Sequence, residues 1–149
     1  MPISAMAPVS GEASNLEHAP DPIFSMGTLG WGVALDPPRE RISVIAPVDG
    51  TIERLEPHVF SIAFPRGCVM VQVGIEADGL RGEGYELHVE QGDRVDAGDP
   101  VVTYDPAELE AKGVNPMVIV VALDCDEFTL ESVKRSGRVT VGDTVFVIP

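Results

Sequence analysis

Positive charge, cysteine and long apolar runs are all scarce in this chain of 149 residues. Lysine and arginine number 10 against 24 aspartates and glutamates, which gives a net charge of −14. Binding to nucleic acid or to an anionic membrane needs clustered cations, so this balance argues against both as partners. An acidic chain suits solubility, or docking to a basic partner.

The two cysteines, Cys68 and Cys125, are far apart, and neither lies in a CxxC or Cys/His motif. This spacing favours neither a disulfide framework nor a zinc site, and we expect both thiols to be small, inert core or rim residues. No apolar run approaches the roughly 20 residues of a membrane-spanning helix, and the start lacks the pattern of a signal peptide. We therefore expect one cytoplasmic domain over residues 1–149, with its first few residues frayed.

Proline and glycine, 13 and 15 residues respectively, divide the chain into short segments. Between them lie runs rich in β-branched residues, at Ile42–Ile45, Val69–Val73, Val118–Val121 and Val145–Ile148. Short β-branched runs between tight turns are typical of all-β proteins. The sequence predicts a compact β-sandwich or barrel-sandwich hybrid.

Two short sequences occur twice in the chain. Ala7–Gly11 (APVSG) recurs as Ala46–Gly50 (APVDG), and Gly92–Asp99 recurs in shorter form as Gly137–Asp143. Each copy of the second sequence ends in Gly-Asp just before a new apolar run. We infer that copies of one hairpin unit pack together, which is a way to build a closed β structure without free edges.

Helix signals are few, and they predict one or two short helices. Asp105 is a candidate N-cap, Pro106 suits the first helical position, Glu108 completes a capping box, and Gly113 suits the stop. Phe128–Val133 forms either a second short helix or a loop over one end of the sandwich.

A series of segments resembles the landmarks of glucose-type enzyme IIA, the component of the bacterial sugar phosphotransferase system that relays phosphate on a histidine. The segments follow the family's order and nearly its spacing, and together they cover almost the whole chain. They are Ala7–Glu12, Pro22–Phe24, Gly30–Pro37, Ala46–Ile52, His58–Ile62, Gly74–Ile75 and Leu80–Tyr85. The resemblance implies a protein whose partners are the histidine phosphocarrier protein or a sugar permease.

In that family two histidines face each other in a shallow apolar depression. By resemblance His58 is the supporting histidine, whereas the position of the phosphate acceptor is occupied by Gln72. Imidazole is a nucleophile because one ring nitrogen keeps a free lone pair. The lone pair of an amide nitrogen is delocalised into the carbonyl, so Gln72 cannot carry a transferable phosphoryl group. With one imidazole left, we also expect the family's zinc binding to be lost.

Further departures from the family pattern surround Gln72. The resemblance implies threonine and an apolar residue where this chain has Ala77 and Asp78, and the segment before His58 is about two residues short and lacks a threonine. Strand alternation places Cys68 and Met70 on the face of Gln72. With them we expect the surface to include a set of rim and lip residues: Phe24, Phe60, Glu76 and Asp78.

Three functions fit these observations to different degrees. We favour a non-catalytic enzyme IIA homologue that acts as a regulatory, protein-binding module, without cofactor or metal. The alternative is a working phosphocarrier that uses His58. A biotin- or lipoyl-type carrier needs a lysine at an exposed hairpin tip, and neither Lys112 nor Lys134 is so placed.

Overall fold

The computed structural model describes residues 2–149, which form thirteen strands and two short α-helices. The helices are α1 (Pro22–Ser25) and α2 (Pro106–Ala111), and 3₁₀ turns cover Leu16–His18 and Ala77–Leu80. The strands are β1 (Ile3–Met6), β2 (Gly11–Asn15), β3 (Gly30–Asp36), β4 (Ile42–Ile45), β5 (Gly50–Glu56), β6 (Val59–Phe64), β7 (Gly67–Ile75), β8 (Glu86–Leu87), β9 (Arg94–Val95), β10 (Pro100–Tyr104), β11 (Asn115–Leu123), β12 (Ser136–Val139) and β13 (Thr144–Ile148). The predicted all-β fold is confirmed, and the four β-branched runs lie in β4, β7, β11 and β13.

The strands pair in three antiparallel sheets. The largest has the order β12-β2-β3-β11-β7-β6-β5-β9, the second is β4-β10-β8, and β1 pairs with β13. Strands β12 and β9 remain at the two ends of the largest sheet, so the expectation of a structure without free edges is wrong. Both edges are short, four and two residues, which limits pairing with other chains.

The core fills with apolar side chains from the central strands. Val69, Val71 and Val73 of β7 are each fully buried, as are Val118 and Val120 of the neighbouring β11. On β7 the buried valines alternate with half-buried Cys68 and Gln72, which is the pattern expected of a strand with one face on the core. Within residues 2–149, no helix is long and apolar enough to cross a membrane.

The two Ala-Pro-Val sequences form turns that bind each other. The Met6 N–H donates to the Pro47 carbonyl at 3.0 Å, and the Ile45 N–H donates to the Pro8 carbonyl at 3.1 Å. Because Met6 and Ile45 hold equivalent places before the two copies, the bonds are reciprocal. The repeated sequence therefore marks an approximate two-fold relation inside the chain.

Each Ala-Pro-Val turn is also tied to one of the predicted Gly-Asp turns. The Ala7 N–H donates to the Asp143 carbonyl at 2.6 Å, and the Ala46 N–H donates to the Asp99 carbonyl at 2.8 Å. The residue after each valine adds a side-chain bond to the same loop. Ser10 Oγ accepts from the Val141 N–H at 2.8 Å, and Asp49 Oδ1 accepts from the Ala97 N–H at 2.7 Å.

Helix α2 begins and ends where the sequence predicts. The Asp105 carboxylate accepts from the Ala107 N–H at 3.0 Å, Pro106 takes the first helical position, and Gly113 follows the helix at φ +78°. Glu108 does not complete a capping box, because its carboxylate accepts from Lys112 Nζ at 3.2 Å instead. This side chain therefore braces the far end of the helix.

Residues 128–133 form a loop, which was one of the two alternatives left by the sequence. Glu131 bridges to Val147, so the loop lies along β13. At the other terminus, Ile3 already pairs with Ile148. The expected fraying does not reach Ile3, and Met1 lies outside the described residues.

Gly11 marks a position where the fold admits no side chain. A Cβ built at Gly11 would collide with the backbone carbonyl of Asp36 on the paired strand. We therefore expect Gly11→Ala to lower the free energy of unfolding by about 1–3 kcal/mol. The control is Gly79→Ala, because a Cβ at Gly79 meets nothing within 4 Å. Urea unfolding measures both variants, and equal stabilities would contradict the close approach of β2 and β3.

Candidate functional site

A shallow depression of about 310 Å³ lies over the neighbouring strands β6 and β7. Its walls come from α1, the loop before β3, the β5–β6 hairpin and the end of β7. The lining residues are Asp21, Ile23, Phe24, Leu29, Arg54, His58, Val59, Met70, Gln72, Glu76 and Asp78. The structure thus brings together six of the eight residues that the sequence places on this surface, all but Cys68 and Phe60.

Gln72 forms part of the floor of the depression. It pairs with Val59 on one side and Ile119 on the other, so its side chain points away from the valine face of β7. The side-chain amide Nε2 donates to the Gly74 carbonyl at 3.0 Å. The amide is therefore held against its own strand and presents no nucleophile.

His58 lies in the two-residue turn between β5 and β6. Its carbonyl accepts from the Val73 N–H at 2.7 Å, which fixes the turn beside the residue that follows Gln72. The ring is half-buried and makes no hydrogen bond or ion pair with another residue of the described chain. It is the imidazole that lines the depression.

A sharp bend after β7 places two carboxylates on the lip. Glu76 adopts the left-handed conformation at φ +55° and Ala77 is fully buried, while Glu76 and Asp78 both line the depression. Gly74 permits the bend because its φ of +94° is a conformation that glycine adopts readily. A side chain would not fit there, since a Cβ would lie 2.9 Å from Leu109 Cδ2. The Tyr85 hydroxyl holds the strand end by donating to the Val73 carbonyl at 2.7 Å.

Helix α1 supplies the apolar wall. The Asp21 carboxylate caps it by accepting from the Ile23 N–H at 3.0 Å, and Pro22 takes the first helical position. Phe24 is buried, whereas Ile23 and Met26 are 53% and 78% exposed. Helix α1 was not predicted from the sequence, although its Asp-Pro start is the signal that predicts α2.

Phe60 does not belong to the rim, and that prediction is wrong. Its side chain is 1% exposed and sits opposite Val71 on the core face of the sheet. Successive side chains on a strand point to opposite faces, so Val59 faces the depression and Phe60 faces the core. His58, in the turn before β6, and Phe60, on the strand itself, therefore do not share a face.

The electrostatics of the depression are acidic. Asp21, Glu76 and Asp78 contribute three carboxylates, and the guanidinium of Arg54 is paired with Glu56. In the part of the chain that the structure describes, no group of three or more His, Cys, Asp or Glu residues could hold a metal ion. Because the depression combines an apolar wall with unpaired carboxylates, it favours a partner surface that has apolar side chains and positive charges.

Cys68 lies outside the lining of the depression and is half-buried. Burial is the largest influence on its thiol and raises the pKa, opposed by a hydrogen bond with Ser61. Burial raises the pKa of the Cys125 thiol as well. Since the thiolate is the reactive form, both environments favour the inert thiols expected from the sequence.

Comparisons with known proteins identify relatives of the whole fold. Residues 3–128 match the family model described as phosphoenolpyruvate-dependent sugar phosphotransferase system, EIIA 1. The glucose-specific EIIA component of Haemophilus influenzae is 36% identical over 146 residues, which are 96% of this chain and 86% of that protein. The corresponding component of Bacillus anthracis is also 36% identical, over 91% of this chain and 81% of that protein.

Other relatives are longer than this chain. The β-glucoside-specific EIIBCA component of Bacillus subtilis is 29% identical over 136 residues, which are 89% of this chain but 22% of that protein.

Among solved structures, the glucose permease IIA from Mycoplasma capricolum superposes with a TM-score of 0.87 at 29% identity. That match covers 100% of this chain and 97% of the other.

The raised pKa of Cys68 predicts slow alkylation. In Cys125→Ser, which leaves Cys68 as the one thiol, we expect the rate of reaction with iodoacetamide to rise with pH around a midpoint above the ordinary value of about 8.5. The sign follows because a raised pKa leaves less thiolate at any given pH below it. The same variant in urea is the control, with an ordinary midpoint. A folded-state midpoint at or below that of the control would contradict the burial of Cys68.

Proposed function

The chain belongs to the EIIA 1 family of the phosphoenolpyruvate-dependent sugar phosphotransferase system, and from that membership we propose that it acts as a regulatory, protein-binding module. It carries no phosphate on residue 72. Its docking surface is the depression lined by His58, Gln72 and Met70. The partners we propose are the histidine phosphocarrier protein or a sugar permease, met in the cytoplasm by a single domain of residues 1–149.

The main support for this proposal is the position of the Gln72 side chain at the floor of the depression. We assign Gln72 to the position of the family's phosphate-accepting histidine, since it shares the depression with His58 as the two histidines do in the family. An amide nitrogen has no free lone pair to attack phosphorus. The bond to the Gly74 carbonyl also turns its Nε2 onto the backbone.

The surroundings of Gln72 support docking over group transfer. The apolar wall of Ile23 and Phe24, bordered by the carboxylates of Glu76 and Asp78, matches the apolar centre and polar rim of a protein-binding surface. A phosphoryl group is itself anionic, so unpaired carboxylates at its site would disfavour it. Binding an apolar, cationic surface uses the same residues without this penalty.

The second candidate, a phosphocarrier that uses His58, depends on one observation. The His58 ring lines the depression and has no hydrogen-bond partner among residues 2–149, so a ring nitrogen is open to attack phosphorus. The proposed function and this alternative differ in whether His58 ever carries phosphate.

Phosphate transfer tests the two directly. With phosphoenolpyruvate, enzyme I and the histidine phosphocarrier protein, we expect no acid-labile phosphate on this chain. Label that disappears in His58→Ala, and persists in His88→Ala, would instead establish the phosphocarrier. His88 is a matched control because its Nε2 lies 2.6 Å from Thr103 Oγ1, outside the depression.

The variant Gln72→His separates the lost nucleophile from the altered surroundings. Labelling of this variant would show that the rest of the site still supports phosphoryl transfer. Continued absence of label would assign the loss also to Ala77, Asp78 and the short segment before His58. The measurement is phosphohistidine mapped by mass spectrometry at neutral pH.

A further inference from the structure

Phe128 is an aromatic side chain presented to solvent on a fixed turn. It is 89% exposed, the highest value for a large apolar side chain in the described residues. Asp126 Oδ1 accepts from the N–H groups of Phe128 and Thr129, each at 2.9 Å, and from the Thr129 hydroxyl at 3.0 Å. These bonds set the backbone that carries the ring, so the exposed position is built by the fold.

The turn lies next to the depression. The Asp124 N–H donates to the Leu29 carbonyl at 3.0 Å, and Leu29 lines the depression. Four residues of extended chain span at most about 14 Å, which bounds the distance from Asp124 to Phe128. A protein interface of ordinary size buries about 800 Å² on each partner, a patch about 30 Å across. A partner of this size that covers the Leu29 edge of the depression is therefore large enough to reach Phe128.

The charges around this surface identify the kind of partner. Five carboxylates on the depression and the turn have no ion-pair partner within residues 2–149: Asp21, Glu76, Asp78, Asp124 and Asp126. Among the cations near this surface, Arg54 pairs with Glu56 and Arg135 lies 3.9 Å from Glu127. Arg81, three residues after Asp78, adds one positive charge against the five carboxylates. A second copy of a chain with net charge −14 would be repelled by this face.

We propose that Phe128 is a second anchor of the docking surface, inserting its ring into an apolar pocket of a basic protein bound over the depression. The inference rests on the proposed docking function and extends its surface. The ring pays little entropy on binding because the Asp126 turn already holds its backbone. Aromatic anchors of this kind carry a large share of the binding energy of an interface, whereas the surrounding acidic residues set orientation and rate.

The test measures how tightly the histidine phosphocarrier protein binds the full chain, by calorimetry. We expect Phe128→Ala to weaken binding about tenfold, the effect of losing one anchor of ordinary strength. The melting temperature should stay unchanged, because the ring is exposed. Phe128→Tyr keeps the ring and should keep the affinity, while rising salt should weaken binding by wild type and by this variant alike.

Val141→Ala is the matched control. Val141 is also exposed, at 44%, but it precedes β13. Glu131 pairs antiparallel with Val147, and the Lys134 N–H donates to the Val145 carbonyl, so residue 128 lies beyond the opposite end of β13. We expect this variant to bind as wild type does.

Each of the remaining outcomes would contradict the proposed role of Phe128, and the measurements distinguish these outcomes from one another. Unchanged affinity in Phe128→Ala, or an equal loss in Val141→Ala, shows that the ring is not an anchor. A fall in melting temperature together with affinity shows a structural role. A wild-type dimer that dissociates in Phe128→Ala identifies a second copy as the occupant. Absence of binding by wild type contradicts the docking function itself as well as this extension of it.

Discussion

Two reciprocal hydrogen bonds between the Ala-Pro-Val turns hold the framework on which the rest of the structure depends. Each runs from the residue before one turn to the proline carbonyl of the other, Met6 to Pro47 and Ile45 to Pro8. Proline has no N–H, so its carbonyl is the group that each turn can offer at this point. Since β5, β6 and β7 follow the second turn as an unbroken meander, its place in the molecule also determines where β7 presents Gln72.

The site is a consequence of strand geometry joined to one sharp bend. Alternation on β7 sends its valines into the core and leaves Met70 and Gln72 on the outer face. The left-handed turn at Glu76 then brings two carboxylates to the edge of the same face. We propose that this surface corresponds to the phosphoryl-transfer centre of the family and serves here as a recognition surface, because its shape and charge do not depend on a nucleophile at residue 72.

Local chemical signals account for what the sequence predicted well. β-branched runs between prolines and glycines locate strands, and Asp105-Pro106 locates α2. The equivalent signal at Asp21-Pro22 was present but missed. Phe60 was misplaced because β6 carries apolar residues at successive positions, Val59 and Phe60, so its pattern does not show which face packs on the core. Leu29 and Arg54 join the depression through tertiary contacts, for which a single sequence carries no local signal.

We propose that the depression is a protein-docking surface. Its most direct test is to follow the backbone amide signals of the isotope-labelled chain by nuclear magnetic resonance while the histidine phosphocarrier protein is added. If the depression is the docking surface, the largest shifts will fall on α1, on Met70 and Gln72, and on the Glu76–Asp78 bend. Shifts confined to the Gly-Asp turns at Asp99 and Asp143, with the depression unchanged, would contradict it.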